Sequence, residues 1–303
     1  MLLFVEQVLN GLQYSALLFL LSAGLTLVFG IMNVINLTHG SFYMVGAFCA
    51  AAAAAATGSF LAAIVAAVVG AGIYGLLVER LVVRFLYRRD HLDQVLATLG
   101  LVLFTNELVT MLFGRSPPFM DIPRALTGSV QLLPGLAYPL MRLAFIGAGV
   151  AVAVGLWLLI SRTRVGMLVR AGADDREMVD ALGVDVQRLY MLVFALGALL
   201  CGFAGVMSAP LLAVQVGMGE RILITAFVVI VIGGLGSVRG ALLGSLVIGM
   251  SDAFGRAYIP SLLTQLMPPQ LADPLAASLI SASAYILMAL VLLLRPLGLA
   301  GGR

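Results

Sequence analysis

Residues 222–254 read ILITAFVVIVIGGLGSVRGALLGSLVIGMSDAF. This apolar run is longer than the roughly 20 residues that one membrane-crossing helix needs. The octet GGLGSVRG at 233–240 breaks it with glycines at 233, 234, 236 and 240 and with Arg239. Each half, about 13–15 residues, would be roughly 20–22 Å long at 1.5 Å per residue, short of a hydrocarbon core of about 30 Å. The stretch therefore predicts two short helices joined inside the membrane or near its cytoplasmic face.

The rest of the chain agrees with that setting. Of 303 residues, 62% are hydrophobic and only 10% charged, with a mean hydropathy of +1.13. Soluble domains average about 45–50% apolar and about 25% charged, so a soluble fold could not hide this much apolar surface. All 17 basic residues are arginine. Without lysine the chain cannot form a P-loop, whose phosphate grip needs Gly-Lys-[Ser/Thr], or a Schiff base. His39, His91, Cys49 and Cys201 are too few and too scattered for a zinc cluster or a disulfide framework. No cofactor is expected on this chain. The net charge of +3 does not indicate nucleic acid, because the arginines are confined to loops between apolar stretches. The fold class expected is an all-α, polytopic integral membrane protein forming one transmembrane domain over 1–303, with the lipid bilayer as its solvent.

About eight membrane helices are expected. Candidate spans are 8–31, 37–56, 59–79, 94–113, 142–160 and 189–213, then the interrupted pair within 222–254, and finally 275–294. Broken or short helices are expected near 33–40 and 233–240. The start MLLFVEQ lacks the basic segment of a cleavable signal, so no cleavage is expected. A proline-rich polar loop is read at 114–141. Arginine counts in short loops set orientation. Loops 79–93 and 161–188 hold four and five arginines and are expected in the cytoplasm. By parity the N-terminus, 114–141, 218–221 and 255–274 lie outside.

Three groups of residues are candidates for function. The first break carries Asn33, Asn36, Thr38 and His39, followed by Gly40-Ser41. The second carries Gly233, Gly234, Gly236, Arg239 and Gly240. Their likeness, His39-Gly40-Ser41 beside Arg239-Gly240-Ala241, is a weak internal repeat, and paired interrupted helices point to a transport pathway. Chance similarity between glycine-rich helices explains the likeness equally well, and tight packing alone accounts for small residues. Glu107, beside Thr105, Asn106 and Thr110, is nearly the only acid in the middle of a span, where charge costs about 2.5–3.5 kcal/mol on insertion scales.

The third group lies in 161–188, where DDREMVDALG (174–183) puts Met178, Ala181 and Leu182 at helical spacing. Asp174, Asp175, Glu177 and Asp180 populate the helix and Gly183 stands at its end, as capping favours. A short amphipathic helix between two spans suits a partner's groove; lying on its own bundle is the plainer alternative.

GLQYSALLFLLSAGLTLVFGIMNVINLTHGSFYMVGAF (11–48), TRVGMLVRAGADDREMVDALGVDVQRLYMLVFALGALLCGFAGV (163–206) and VVIVIGGLGSVRGALLGSLVIG (228–249) resemble the LivH-type permeases of branched-chain amino-acid ABC importers. The similarity runs over nearly the whole chain in motif order, more loosely at 80–141. It implies a permease of the bacterial inner membrane working with a second related permease, two cytoplasmic ATPase subunits that use ATP, and a periplasmic substrate-binding protein. By position, Gly172–Gly183 matches that family's ATPase-coupling segment. Similar permeases import urea or short amides, which stands as the alternative substrate class. An ion-coupled secondary transporter would need intramembrane acids beyond Glu107, and a membrane enzyme would need a catalytic constellation that the sequence does not offer.

Overall fold

The computed structural model describes residues 2–87, 89–114 and 118–300, apart from the side chains of Arg176 and Glu177. Arg88, Arg115 and Pro117, used in the sequence reading of two loops, lie outside the described residues. The order is α1 (Leu2–Met32), α2 (His39–Thr57), α3 (Phe60–Leu86), α4 (His91–Phe113), α5 (Leu140–Arg162), α6 (Arg164–Asp174), α7 (Arg176–Ala181), α8 (Val186–Ser208), α9 (Met218–Gly233), α10 (Val238–Leu266) and α11 (Pro269–Leu294). Seven of these, α1 to α5, α8 and α11, are each long and apolar enough to cross a membrane. The pair α9–α10 is bent by 117° at its break. The protein is an all-α polytopic membrane protein.

Helix α1 is the axis of the bundle. It is buried almost continuously from Leu17 to Val28 and packs on α5, α8, α9 and α10. Helices α2, α3 and α8 form a second packed group. Small residues bring their backbones together: Ala63, Ala67 and Ala71 share one buried stripe of α3, and a Cβ on Gly202 of α8 would lie 2.6 Å from the Ala67 carbonyl oxygen. Without a strong hydrophobic drive between helices in lipid, such close approach is what holds them. Phe42 fixes the angle of this group through edge-on contacts with Tyr74 and Phe194, at 6.0 and 5.6 Å between ring centres. Helices α4, α5 and α11 keep broad apolar faces exposed, including Phe104, Trp157 and Leu290.

Several boundaries differ from the sequence reading. The second half of the interrupted pair is not short: α10 has 29 residues, against 16 in α9. The sequence reading ends the apolar stretch near 254. The helix continues because Arg256 pairs with Asp252 one turn back, at 2.7 Å, and Pro260 removes only one backbone donor. Thus 255–266 is helix, and α11 begins at Pro269 rather than 275. Helix α8 stops at Ser208: Ala209 still bonds to the Gly205 carbonyl, and Pro210 then has no backbone N–H to continue the ladder. Helix α3 runs past 79 through a π-helical turn, Glu79–Val83. The loop 114–141 contains an antiparallel hairpin, Ser129–Leu133 with Leu136–Pro139. Its turn residues, Pro134 and Gly135 (φ 88°), supply the left-handed position that such a turn requires.

The two ends of the bundle collect different loops. At one end the close of α1 meets α6 and the 235–239 turn, while Arg84 donates to Gln187 and the Tyr87 and Tyr190 rings meet edge-on at 5.0 Å. Both arginine-rich loops therefore share an end. At the other end the Asn10 side chain accepts hydrogen bonds from Tyr138 and Arg142, which ties the start of α1 to the hairpin.

Candidate coupling segment and interrupted helices

The segment 161–188 folds as two short helices rather than one. Thr163 caps α6 by accepting from the Gly166 amide, and Gly166 nests against the end of α5, where a Cβ would sit 2.2 Å from the Ile160 carbonyl oxygen. Gly172 is buried beside Leu189 and Ile31. The chain then turns at Asp175, whose carboxylate accepts from the Met178 amide as the N-cap of α7. At the far end Gly183 is left-handed (φ 83°), its amide bonding to the Asp180 carbonyl while Val184 bonds to the Val179 carbonyl. That pair of bonds is a Schellman closure, which glycine permits at least strain. Val179 turns inwards and is 4% exposed. Met178 and Leu182 turn outwards, 58% and 75% exposed, with Asp174, Asp180 and Ala181 also exposed. One face of α7 anchors it, and the other presents two large apolar side chains to whatever lies beyond.

The first break is buried. After Met32, Asn33 takes a left-handed conformation (φ 50°) and the chain runs without helix to His39. Asn36, Thr38 and His39 are essentially inaccessible. The Asn36 carboxamide oxygen accepts from both the amide and the hydroxyl of Thr38. Among the described residues the Asn36 amide nitrogen and the Thr26 hydroxyl have no partner, and the His39 ring nitrogens have none within strict hydrogen-bond geometry, the Leu21 backbone being the polar group that approaches them. His39 sits against Gly24 of α1 and Gly197, the midpoint of α8. Helix α2 therefore begins deep in the bundle. The loop before it is tied down by Gln94, whose side chain accepts from the Ile35 amide and donates to the Leu86 and Arg89 carbonyls.

The second break is a glycine turn. Gly234 and Gly236 both have positive φ (103° and 81°), and Ser237 caps α10 through the Gly240 amide. Gly233 and Gly240 touch backbone to backbone, and Gly236 lies against Gly30 of α1. The amides of Leu299 and Ala300 return to bond the Ile232 and Gly233 carbonyls at 2.8 and 2.9 Å. These are orphan groups at the end of α9, satisfied from the far end of the sequence. Arg239 is exposed.

The structure brings together the glycine turn and the α6–α7 segment, which line one cavity with the ends of α1 and α5. The Asn36–His39 group lies deeper in the bundle. Glu107 is separate, exposed on the outward stripe of α4 with Leu103, Phe104 and Met111. Its neighbour Asn106 donates to Glu220 at the start of α9.

Sequence reasoning missed one buried acid. Glu79, 3% exposed, is turned inwards by the π turn of α3, where its carboxylate accepts from Tyr87 at 2.5 Å. Burial first, and then the Glu79 hydrogen bond and charge, push the Tyr87 phenol well above its ordinary range. The only sequence signal was an acid placed directly after an apolar run. Among the described residues no group of three or more His, Cys, Asp or Glu could hold a metal ion.

A family model described as the permease component of the branched-chain amino acid transport system matches residues 7–295. The chain is 31% identical over 312 residues to the high-affinity branched-chain amino acid transport system permease protein BraD of Pseudomonas aeruginosa, covering 98% of this chain and 96% of that one. It is 28% identical to LivH of Escherichia coli K12, with the same coverage. More distantly, it is 24% identical to the ribose import permease protein RbsC of the same organism, over 81% of this chain and 76% of that one. No solved structure matches. The agreement spans residues 161–188 and both interrupted helices, and the chain belongs to the family of permease components of branched-chain amino acid transport systems.

Proposed function

We propose that this chain is one membrane subunit of an ATP-driven importer of branched-chain amino acids in a bacterial inner membrane. Loops 79–93 and 161–188 face the cytoplasm, where α7 docks on an ATPase subunit. A second ATPase subunit, a related permease and a periplasmic binding protein complete the machine. The observation that carries this reading is the two-sided build of α7. Val179 and the Gly183 closure fix it to the bundle, while Met178 and Leu182 stay uncovered. Fully burying such a side chain contributes about 1.5–3 kcal/mol, so two of them make a small helix into an effective contact. The substrate follows the names of BraD and LivH. The absence of lysine supports a separate nucleotide-binding subunit, because the chain lacks the P-loop residue.

A second permease is supported by Glu107, Asn106 and Glu220. Gly219, next to Glu220, packs against Gly40 at the buried start of α2, so these polar groups sit deeper than the external loop expected at 218–221. Charge there is costly against lipid, and a protein partner or an aqueous path would relieve it.

The test is reconstitution in vesicles with candidate binding proteins. Met178→Glu with Leu182→Glu is expected to release the ATPase subunits and abolish uptake while the permease stays folded. Asp180→Ala or Gly183→Val is expected to leave ATP hydrolysis running but uncoupled from uptake. ATP-independent uptake driven by an ion gradient would overturn the proposal.

A further inference from the structure

The cavity shared by the coupling segment and the glycine turn has a volume of about 1460 Å³. Clefts that hold small ligands are about 300–1,000 Å³, so this one is too large to be shaped around a single amino acid. Its walls are graded along the bundle. The deep part is apolar, with Phe19 and Phe29 of α1, Val154 and Trp157 of α5, and Leu242 of α10. From Ala153 to Ser161 the wall rises about 12 Å along α5, close to the half-thickness of about 15 Å of a bilayer hydrocarbon core. Val154, Trp157 and Leu242 are exposed, so the apolar wall of the cavity is accessible rather than sealed in the core.

The shallow end is charged with both signs. Arg170 of α6 and Arg239 of α10 line it, and so do Asp174 and Asp175. Among the described residues neither arginine is within ion-pair distance of a carboxylate. Arg170 donates to the Ile160 carbonyl, which leaves its other donors free, and Arg239 is exposed. Asp175 is engaged as the cap of α7. Asp174, the last residue of α6, is exposed beside it. The start of α10 adds the positive end of a helix dipole.

We propose that this cavity binds one phosphatidylethanolamine molecule, its phosphate held by Arg170 and Arg239, its ammonium facing Asp174, and an acyl chain lying against Phe29, Val154 and Trp157. An apolar slot ending in two cations that form no ion pair among the described residues, with an anion beside them, matches a zwitterionic phospholipid in polarity and charge. The mouth is walled by Gly172–Asp175 on one side and Leu235–Arg239 on the other. The lipid would therefore wedge the coupling segment against the glycine turn. This inference rests on the proposed membrane placement, with the cavity in the cytoplasmic leaflet, and not on the identity of the transported solute.

The experiment is native mass spectrometry of the purified complex, titrated with phosphatidylethanolamine, phosphatidylglycerol and phosphatidylcholine of identical chains. One phosphatidylethanolamine per permease is expected to survive removal of bulk lipid, with at least tenfold preference over phosphatidylcholine, whose ammonium has no N–H to donate. The double variant Arg170→Gln, Arg239→Gln should lose that lipid at least tenfold. Asp174→Asn should erase the preference over phosphatidylglycerol. Val154→Trp, which keeps every charge and fills the slot, should exclude all three, and thermal unfolding would confirm that the variants are folded. Equal retention of the three lipids, unchanged occupancy in both the arginine and the Val154 variants, displacement by free leucine, or a lipid-free cavity covered by another subunit would each overturn the proposal. Uptake is not measured, so this result and the transport test fail independently.

Discussion

Gly40 of α2 and Gly219 of α9 face each other with nothing between their backbones: a Cβ on Gly40 would lie 2.4 Å from the Gly219 carbonyl oxygen, and one on Gly219 2.1 Å from that of Gly40. Two helix starts thus meet deep in the bundle, α2 directly after the first break and α9 at the end opposite the second. No rotamer can relieve a clash with backbone, so the helices would have to part.

Gly40→Ala and Gly219→Ala are therefore expected to destabilise the permease, by about 1–3 kcal/mol each, the range of overpacked cores. Gly100→Ala, Gly147→Ala and Gly155→Ala meet nothing within 4 Å. They should be neutral or stabilising by up to about 1 kcal/mol through helix propensity. Thermal unfolding in detergent decides this. Equal behaviour of the two sets would refute the role given to the contact.

Tyr87→Phe removes the one hydrogen-bond donor to Glu79 among the described residues, leaving a buried carboxylate without it. A loss of about 1–3 kcal/mol is expected. Glu79→Gln should recover part of it in the double variant, because a neutral amide is less expensive to bury. Additive losses in the double-mutant cycle would show that the two side chains do not act as a pair.

His39→Leu removes two ring nitrogens that the buried site satisfies poorly, with only the Leu21 backbone near them among the described residues. Replacing a poorly satisfied polar side chain by an apolar one of similar size should leave stability unchanged or raised. If the polarity of this break serves transport, uptake should fall several-fold in the same variant. Unchanged uptake would remove His39 from the pathway.

Glu107→Leu makes the outward stripe of α4 uniformly apolar. Insertion of the isolated chain should improve by about 2–3 kcal/mol on translocon scales. Assembly with the second permease should weaken, read as loss of co-purification. Improved insertion with undiminished assembly would mean that Glu107 faces lipid near the surface rather than a subunit.

How far the sequence revealed the fold depended on whether a feature was a matter of length or of depth. Helix α5 was readable because 142–160 is apolar without interruption, and the structure extends it only to Leu140–Arg162. The extension of α10 was not, because Arg256 looks like a terminus until Asp252 is seen beside it. The capping of α7 was legible in Asp175 and Gly183, since caps are local. Which of its apolar residues would be buried was not: Val179 was passed over, and it is the anchor. Likewise Asn36 and His39 were visible as a polar cluster, but their depth depends on Gly24 and Gly197, more than 150 residues apart in the chain. The hairpin was missed although Pro134-Gly135 announces it, because a proline-rich loop was read as irregular throughout.

The bonds from Leu299 and Ala300 to the Ile232 and Gly233 carbonyls bear on biogenesis. A growing chain inserts α9 long before residues 299 and 300 exist, so the end of that helix must wait with two acceptors uncapped while α10 and α11 are still being made. The interrupted pair can reach its final geometry only after the last helix has been threaded and its tail folded back. Premature release by the insertion machinery, or a bulky fusion that draws Ala300 away, would leave the turn open in a chain whose spans are all in place.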